Sequence, residues 1–321
     1  MIFAAVDVGS NAVRLLISDV YEKGDGAIVA EKTSLVRVPI RLGEDTFVRG
    51  IISDEKRGLL SHALHAFSNL FQVYRPVSYA ACATSALREA ENGAEVAAYV
   101  SRQSGIEIDI IDGKTEALIV GKGFDSHLGD TEDIYLFADV GGGSTDLSVS
   151  YRGNILELRS FKLGTVRILN NYDETAEWGA LKAYLKELDE KFRKKVLVGS
   201  GGNINKISKL FGTKGSKELT YKEIDYGIRQ LENMSMDERI AKFGLRHDRA
   251  DVIVPAGTIF LTIMKHLHAS RILVPRIGLV DGMIRALYHD HNGTAPLPAG
   301  VTAHRLATET AAIAHRRKAG K

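Results

Sequence analysis

The sequence predicts an α/β protein built from two duplicated domains with a cleft between them. Three observations carry that prediction. A strand–turn–strand–turn–strand unit occurs twice, each copy opens on an Asp-x-Gly turn, and helices alternate with strands after both. Two antiparallel hairpins behind the same kind of turn, repeated once, indicate duplication. Helices alternating with strands then place helices on both faces of each sheet.

The first copy runs from the apolar strand Ile2 to Val6 into Asp7-Val8-Gly9-Ser10-Asn11. The strand-like segments LLISDVY and AIVAEKTSLVRV follow, separated by Gly24-Asp25-Gly26. The second copy runs from Ile134 to Ala138 into Asp139-Val140-Gly141-Gly142-Gly143-Ser144-Thr145. LSVSY, a turn at Arg152-Gly153-Asn154, and ILELRSFKLG complete it. After the first copy, a helix over Gly58–Phe71 leads to the strand VSYAACAT, a helix from about Ala86 to Ser101, the strand IEIDII and a helix from Thr115. After the second, a helix around Leu181–Arg193 precedes the strand KVLVG and a Gly-Ser-Gly-Gly loop that opens a helix near Asn203. A long apolar helix, Val252–His268, then precedes the strand RILVP and a last helix from about Gly278. Polar and glycine residues cluster between Gly123 and Asp133, which places the domains at residues 1–125 and 126–290. The last helix has the option of packing back on the first domain. Residues 291–321, opening on Gly-Thr-Ala-Pro-Leu-Pro and ending basic, are expected to form a flexible tail.

With 321 residues, 45% of them hydrophobic, the chain is long enough for two packed cores. Its 42 basic residues nearly balance 40 acidic ones, for a net charge of +2. That balance argues against a nucleic-acid binder, so any anion site must be built locally from loops and a few placed side chains. The single cysteine, Cys82, excludes an intrachain disulfide framework and fits a reducing compartment, with the cytoplasm as the expected location. No apolar run approaches the roughly 20 residues a membrane-spanning helix needs. The apolar opening lacks a basic flank and a cleavage site, so it reads as a core strand.

Glycines in the Asp-x-Gly turns let backbone N–H groups approach a ligand with no Cβ in the way. Ser10, Asn11, Ser144 and Thr145 add side-chain groups that can bond phosphate oxygens. Asp7 and Asp139, just before each turn, would repel bare phosphate. They make sense if they hold a hydrated Mg²⁺ that bridges to it. Read alone, either turn is equally an ordinary hairpin; the equivalent pair points to phosphate held between two lobes. The loop Gly199-Ser200-Gly201-Gly202-Asn203, between a strand and a helix, is either a third anion site or a plain turn capped by Asn203. Arg88, after Thr84-Ser85, stands at the carboxyl end of a strand, where α/β sheets keep their ligands, and its fork suits phosphate oxygens. Glu116, in the first turn of a helix, could orient an attacking water, although a carboxylate there is also a simple partner for the helix dipole.

Taken together, DVGSN (Asp7–Asn11), ATSALREA (Ala83–Ala90), IIDGKTEAL (Ile110–Leu118), DVGGGSTDL (Asp139–Leu147) and LGTVRI (Leu163–Ile168) resemble the exopolyphosphatase/guanosine pentaphosphatase family. The resemblance covers residues 1 to about 290 and implies two actin-like (ribonuclease H-like) domains. It implies release of terminal phosphate from inorganic polyphosphate, or alternatively from the guanosine pentaphosphate pppGpp, with Mg²⁺ or Mn²⁺ as cofactor. By that resemblance Glu116 is the general base. Asp139 and Asp146 stand near the metal, supported by Asp7. Asn11, Arg88, Ser144 and Thr165 contact phosphate, together with the backbone of Gly141, Gly142 and Gly143. Ser10, Thr145, Gly201 and Gly202 complete the expected site, and Lys162 and Arg167 are expected to make the groove more positive. Four departures stand out: Asp146 where Glu is usual, Thr115 where a second acid is frequent, Asn203 where Thr is common, and Val280-Asp281 in place of Arg-Glu before Gly282. A kinase of the same superfamily and a non-hydrolytic phosphate-chain sensor are the alternative readings. Apolar helices such as Val252–His268 could support a homodimer.

Overall fold

The computed structural model describes residues 1–24, 26–128, 133–152, 154–170 and 174–305. The Gly24-Asp25-Gly26 and Arg152-Gly153-Asn154 turns each have their middle residue outside this set, as do residues 306–321 of the expected tail.

The first sheet is built from β1 (Ile2–Val8), β2 (Val13–Glu22), β3 (Ile28–Val38), β4 (Ser78–Ala83) and β5 (Asp109–Ile110), in the order β3-β2-β1-β4-β5. β1, β2 and β3 form an antiparallel meander, and β4 joins β1 in parallel. β1 and β4 are covered on both faces, which is why they read as unbroken apolar runs. Around them lie α1 (Leu42–Arg49), α2 (Asp54–Tyr74), α3 (Ser85–Glu89), α4 (Gly93–Ser104) and α5 (Gly113–Leu128). The helix expected from Ala86 to Ser101 is thus two helices, broken over residues 90–92.

The second sheet repeats the plan. β6 (Ile134–Val140), β7 (Thr145–Tyr151) and β8 (Asn154–Phe161) form the meander, and β9 (Val196–Ser200) joins β6 in parallel. The outer strands β10 (Glu218–Thr220) and β11 (Arg271–Leu273) give the order β10-β11-β9-β6-β7-β8. Between them run α6 (Thr165–Leu169), α7 (Thr175–Lys191), α8 (Gly202–Phe211), α9 (Tyr221–Glu232), α10 (Met236–Phe243), α11 (His247–Ala250) and α12 (Ile253–His266). The last helix, α13 (Leu279–His291), leaves this lobe and packs on α5 and β1. No helix among the described residues is long and apolar enough to cross a membrane.

Each lobe has its own core, and a third core lies between the sheets. There α5 and α13 bring Ile119, Phe124, Met283 and Leu287 against Phe3 of β1 and Phe137 of β6. The two helices cross so closely at Gly282 that a Cβ there would stand 1.8 Å from the Ile119 carbonyl oxygen. No side chain fits at that crossing.

Residues 292–305 depart from the expectation of a flexible tail. Leu297, Val301 and Ala303 pack against the central core. His304 forms a two-bond antiparallel bridge with Tyr79 of β4 and stacks on its ring, with centroids 5.1 Å apart. The physical reason is an open sheet edge. β5 pairs with β4 only at Cys82 and Ala83, which leaves the first half of β4 without a neighbour on that side until His304 supplies one.

Candidate active site

The Asp-x-Gly turns sit at the carboxyl ends of β1 and β6 and share one geometry. Gly9 N–H donates to the Ala12 carbonyl (3.3 Å), and Gly141 N–H donates to the Ser144 carbonyl (2.9 Å). The turns meet across the lobes, with Gly142 against Ser10 and the backbone nitrogen of Asn11. The loop from β9 into α8 closes a third side. Its Gly201 has φ of +111°, and a Cβ there would meet the Val140 carbonyl at 2.8 Å, so the close approach to β6 requires glycine. The cleft so enclosed is lined by four carboxylates (Asp7, Glu116, Asp139 and Asp146), with Arg14, Thr84 and Ser85 beside them.

Burial dominates the charges. Asp139 faces Asp146 across the β6–β7 hairpin, and its carboxyl is pushed up to about 7 by burial and by Asp146, with Arg14 pulling the other way. Asp146 is raised by burial, offset by hydrogen bonds from Ser160 and Ser144, the latter at 2.9 Å. Glu116 is raised well above the ordinary range, by burial and then by Asp146 and Asp139. Arg88, 3.7 Å away, opposes the rise. Glu116 Oε2 and Asp146 Oδ1 are buried without a hydrogen-bond partner in the chain. Asp7 is also raised by burial, but it has a counter-ion, since Arg14 Nη1 lies 3.1 Å from Asp7 Oδ2.

The mouth is cationic. Arg249 donates to the Gly202 carbonyl (2.7 Å), and its guanidinium is lowered to about 10 by burial, then by the charges of Arg37 and Arg14. Arg37 pairs with Asp248, and Arg41 with Asp251 at 2.6 Å, so these pairs also join the two lobes. The arrangement can hold a polyanion by its end, with N–H groups and cations around the phosphate and carboxylates beneath it.

Residues 20–291 match the model of the Ppx/GppA phosphatase family. The chain belongs to that family. Similar solved structures include an exopolyphosphatase from Cytophaga hutchinsonii, at 22% identity and a TM-score of 0.79, matched over 92% of this chain and 99% of the other. The Ppx/GppA family member of Aquifex aeolicus is 23% identical with a TM-score of 0.72, over 91% and 99%. The duplicated sheets are therefore the two-domain actin-like fold of the Ppx/GppA proteins.

Within this Ppx/GppA chain, the cleft wall includes the expected Asp7, Ser10, Asn11, Glu116, Asp139, Gly141, Gly142, Ser144, Asp146, Gly201 and Gly202. Asn11 donates to the Asp248 carbonyl (3.1 Å) and keeps a buried Oδ1 without a partner. Arg88, Gly143, Thr145 and Thr165 stand behind the wall. Arg88 donates to the Ile111 carbonyl (2.8 Å), and the Thr145 hydroxyl to the Leu163 carbonyl (2.6 Å). Thr165 is buried and uses its backbone N–H to hold the Gly141 carbonyl at 3.1 Å. Lys162 is exposed, whereas Arg167 is buried and hydrogen-bonded, so it adds no free charge to the groove. Arg14 and Arg249 were not singled out from the sequence. Arg14 has a signal there, occupying in the first hairpin the place of Asp146 in the second; Arg249 has none, because folding of the second lobe sets α11 beside the distant Gly202.

Proposed function

We propose that this chain is an exopolyphosphatase that releases terminal orthophosphate from inorganic polyphosphate. The observation that carries the reading is Glu116, a buried carboxylate whose Oε2 faces Arg88 but accepts no hydrogen bond, in the wall of a cleft closed by two facing glycine turns. The turns' N–H groups and the arginines at the mouth receive the terminal phosphate and the chain behind it. Burial and neighbouring carboxylates raise the basicity of Glu116, which suits it to take a proton from water. The water oxygen attacks the terminal phosphorus, its proton passes to Glu116, and the anhydride P–O bond breaks. Orthophosphate and a chain shorter by one unit leave.

The residues fit a divalent cation. Asp139 and Asp146 oppose each other with like charge, and Asp146 Oδ1 lacks a partner. Among the described residues no three His, Cys, Asp or Glu side chains close into a metal cage. That matches Mg²⁺, which takes one or two carboxylates and completes its shell with water and substrate phosphate. Asp139 and Asp146 would hold Mg²⁺ or Mn²⁺, which when bound would neutralise the phosphate charge.

A phosphate-release assay with Mg²⁺ tests the reading by comparing long-chain polyphosphate, pppGpp and ATP without any acceptor. Release from polyphosphate well above that from the other two is the expected result. Preference for pppGpp would shift the substrate to the guanosine pentaphosphate. Binding without release from any of them would leave a sensor, and transfer only to an added acceptor would leave a kinase.

A further inference from the structure

Arg167, on α6 of the second lobe, is only 5% exposed. A buried guanidinium requires partners, and those of Arg167 come from both lobes. Its Nε donates to the Gly143 carbonyl (2.6 Å), and its Nη2 donates to Glu89 Oε2 on α3 of the first lobe. Its Cζ lies over the ring of Phe47 on α1, 3.9 Å from the centroid. Phe47 is itself buried among Val166, Val252 and Leu169 of the second lobe, which makes an apolar plug around the charged contact. The buried Glu174 also feels the Arg167 charge.

The first-lobe partner has a direct line to the chemistry. α3 is five residues long, and three of its side chains touch the site's framework. Ser85 Oγ hydrogen-bonds Ser10 Oγ of the first turn (2.8 Å), Arg88 stands 3.7 Å from Glu116 Oε2, and Glu89 takes Arg167. The glycine turn that faces substrate and the helix that sets Arg88 beside Glu116 are therefore joined by one guanidinium.

We propose that Arg167 is a positioning residue: it latches the Gly141–Gly143 turn to α3, so that closure of the lobes and alignment of Glu116 with the bound phosphate occur as one event. Its catalytic consequence rests on the phosphatase reading above; the latch itself does not. Lysine cannot replace the guanidinium here, because a single ammonium cannot sit over Phe47 while reaching both Gly143 and Glu89 as the guanidinium fork does. Misplacing the turn relative to Glu116 affects the transition state more than ground-state binding, since small displacements of reacting groups cost large factors in rate.

The test uses the full chain carrying Arg167→Lys and, separately, the milder Glu89→Gln. The readouts are steady-state kinetics with long-chain polyphosphate and amide hydrogen exchange. Arg167→Lys is expected to lower kcat on the order of 10–100-fold, with KM within about threefold. Exchange should rise together in residues 141–144 and 85–89, because each segment loses its tie to the other. Glu89→Gln should show the same paired rise with a smaller loss of kcat, and it decides the matter should Arg167→Lys fail to fold. Exchange raised in the 141–144 turn alone, or a kcat within twofold of wild type for both variants, would overturn the proposal. Should the protein hydrolyse none of the substrates offered, the phosphatase reading fails while the paired exchange still decides the latch.

Discussion

Asp139 faces Asp146 across the β6–β7 hairpin in the same register that sets Asp7 opposite Arg14 across β1–β2. Directly opposed residues put their side chains on one face of the sheet, so Asp7 and Arg14 attract while Asp139 and Asp146 repel. The duplicated hairpin thus carries an internal ion pair in one copy and a like-charge pair in the other. Repulsion between buried carboxylates persists only where something else balances it, and the second copy is the one beside Glu116.

A cation should therefore stabilise the free protein. Mg²⁺ added without substrate is expected to raise the melting temperature, by an amount equivalent to about 2.7 kcal/mol at a hundred times its Kd. Asp146→Asn should be more stable than wild type in chelator and should lose most of the Mg²⁺-induced shift. Thermal denaturation with and without Mg²⁺ checks both; equal shifts in the two proteins would place any bound cation elsewhere.

The same carboxylates set a pH dependence. The carboxyl of Asp139 is raised from 3.8 to about 7 in the fold, so between those values the folded state holds more protons than the unfolded chain. Stability from this group is full below about pH 4 and declines as pH rises toward 7. The whole difference amounts to at most about 4 kcal/mol. In chelator the melting temperature should fall across that window, and Asp139→Asn should flatten the profile. Saturating Mg²⁺ should flatten it too, by favouring the ionised form. A wild-type profile that rises through the window would contradict the assignment.

Residues 292–305 make a third expectation. Thr302 N–H donates to Asp109 Oδ2 (2.7 Å), and the Thr115 hydroxyl donates to the Ala299 carbonyl (3.3 Å), so the segment ties β5 and the start of α5 as well as β4. Leu297 and Val301 are half-buried, each worth about half of the 1.5–3 kcal/mol of a fully buried aliphatic side chain. A chain ending at His291 should lose about 2–4 kcal/mol of stability, counting those contacts and the bridge to Tyr79. Denaturation midpoints of the truncated and full chains distinguish this from a segment that merely rests on the surface.

Much of this architecture was legible because its signals are local. Both meanders with their Asp-x-Gly turns, and the apolar β4 and β9, stand out as strand runs in the sequence. α9 and α10 had local signals too, since Thr220–Glu223 and Ser235–Glu238 are capping boxes, yet neither helix was singled out. Other features are set by contacts distant in sequence. The strand expected over Ile106–Ile111 pairs only at Asp109 and Ile110, and a residue far along the chain, His304, takes the place beside Tyr79. The burial of Arg167 depends on Glu89 and Phe47 from the other lobe, and no window of sequence holds all three. Of the expected phosphate contacts, Thr145 places its hydroxyl on the Leu163 carbonyl and Thr165 its backbone N–H on the Gly141 carbonyl, bonds between distant residues that local spacing does not reveal.

The sharpest expectation concerns Glu116→Gln. In-line hydrolysis needs a group that accepts the water proton as attack develops, and such assistance is worth about 10²–10⁴-fold in rate. Glutamine keeps the length and the capacity to hydrogen-bond but cannot take the proton, so kcat should fall by that order. Polyphosphate binding should be retained or slightly tightened, because one negative charge leaves a cleft that already holds Asp7, Asp139 and Asp146. Stability should rise in chelator, since the lost charge is buried and repelled by Asp146 and Asp139, with Arg88 its one opposing neighbour among the causes of its shift. A carboxylate serving only the dipole of α5 would give the opposite pattern: a few tenths of a kcal/mol of stability lost and turnover nearly unchanged. Single-turnover kinetics, a binding titration and a melting curve on the one variant separate the two, and a kcat within twofold of wild type would sink the general-base role.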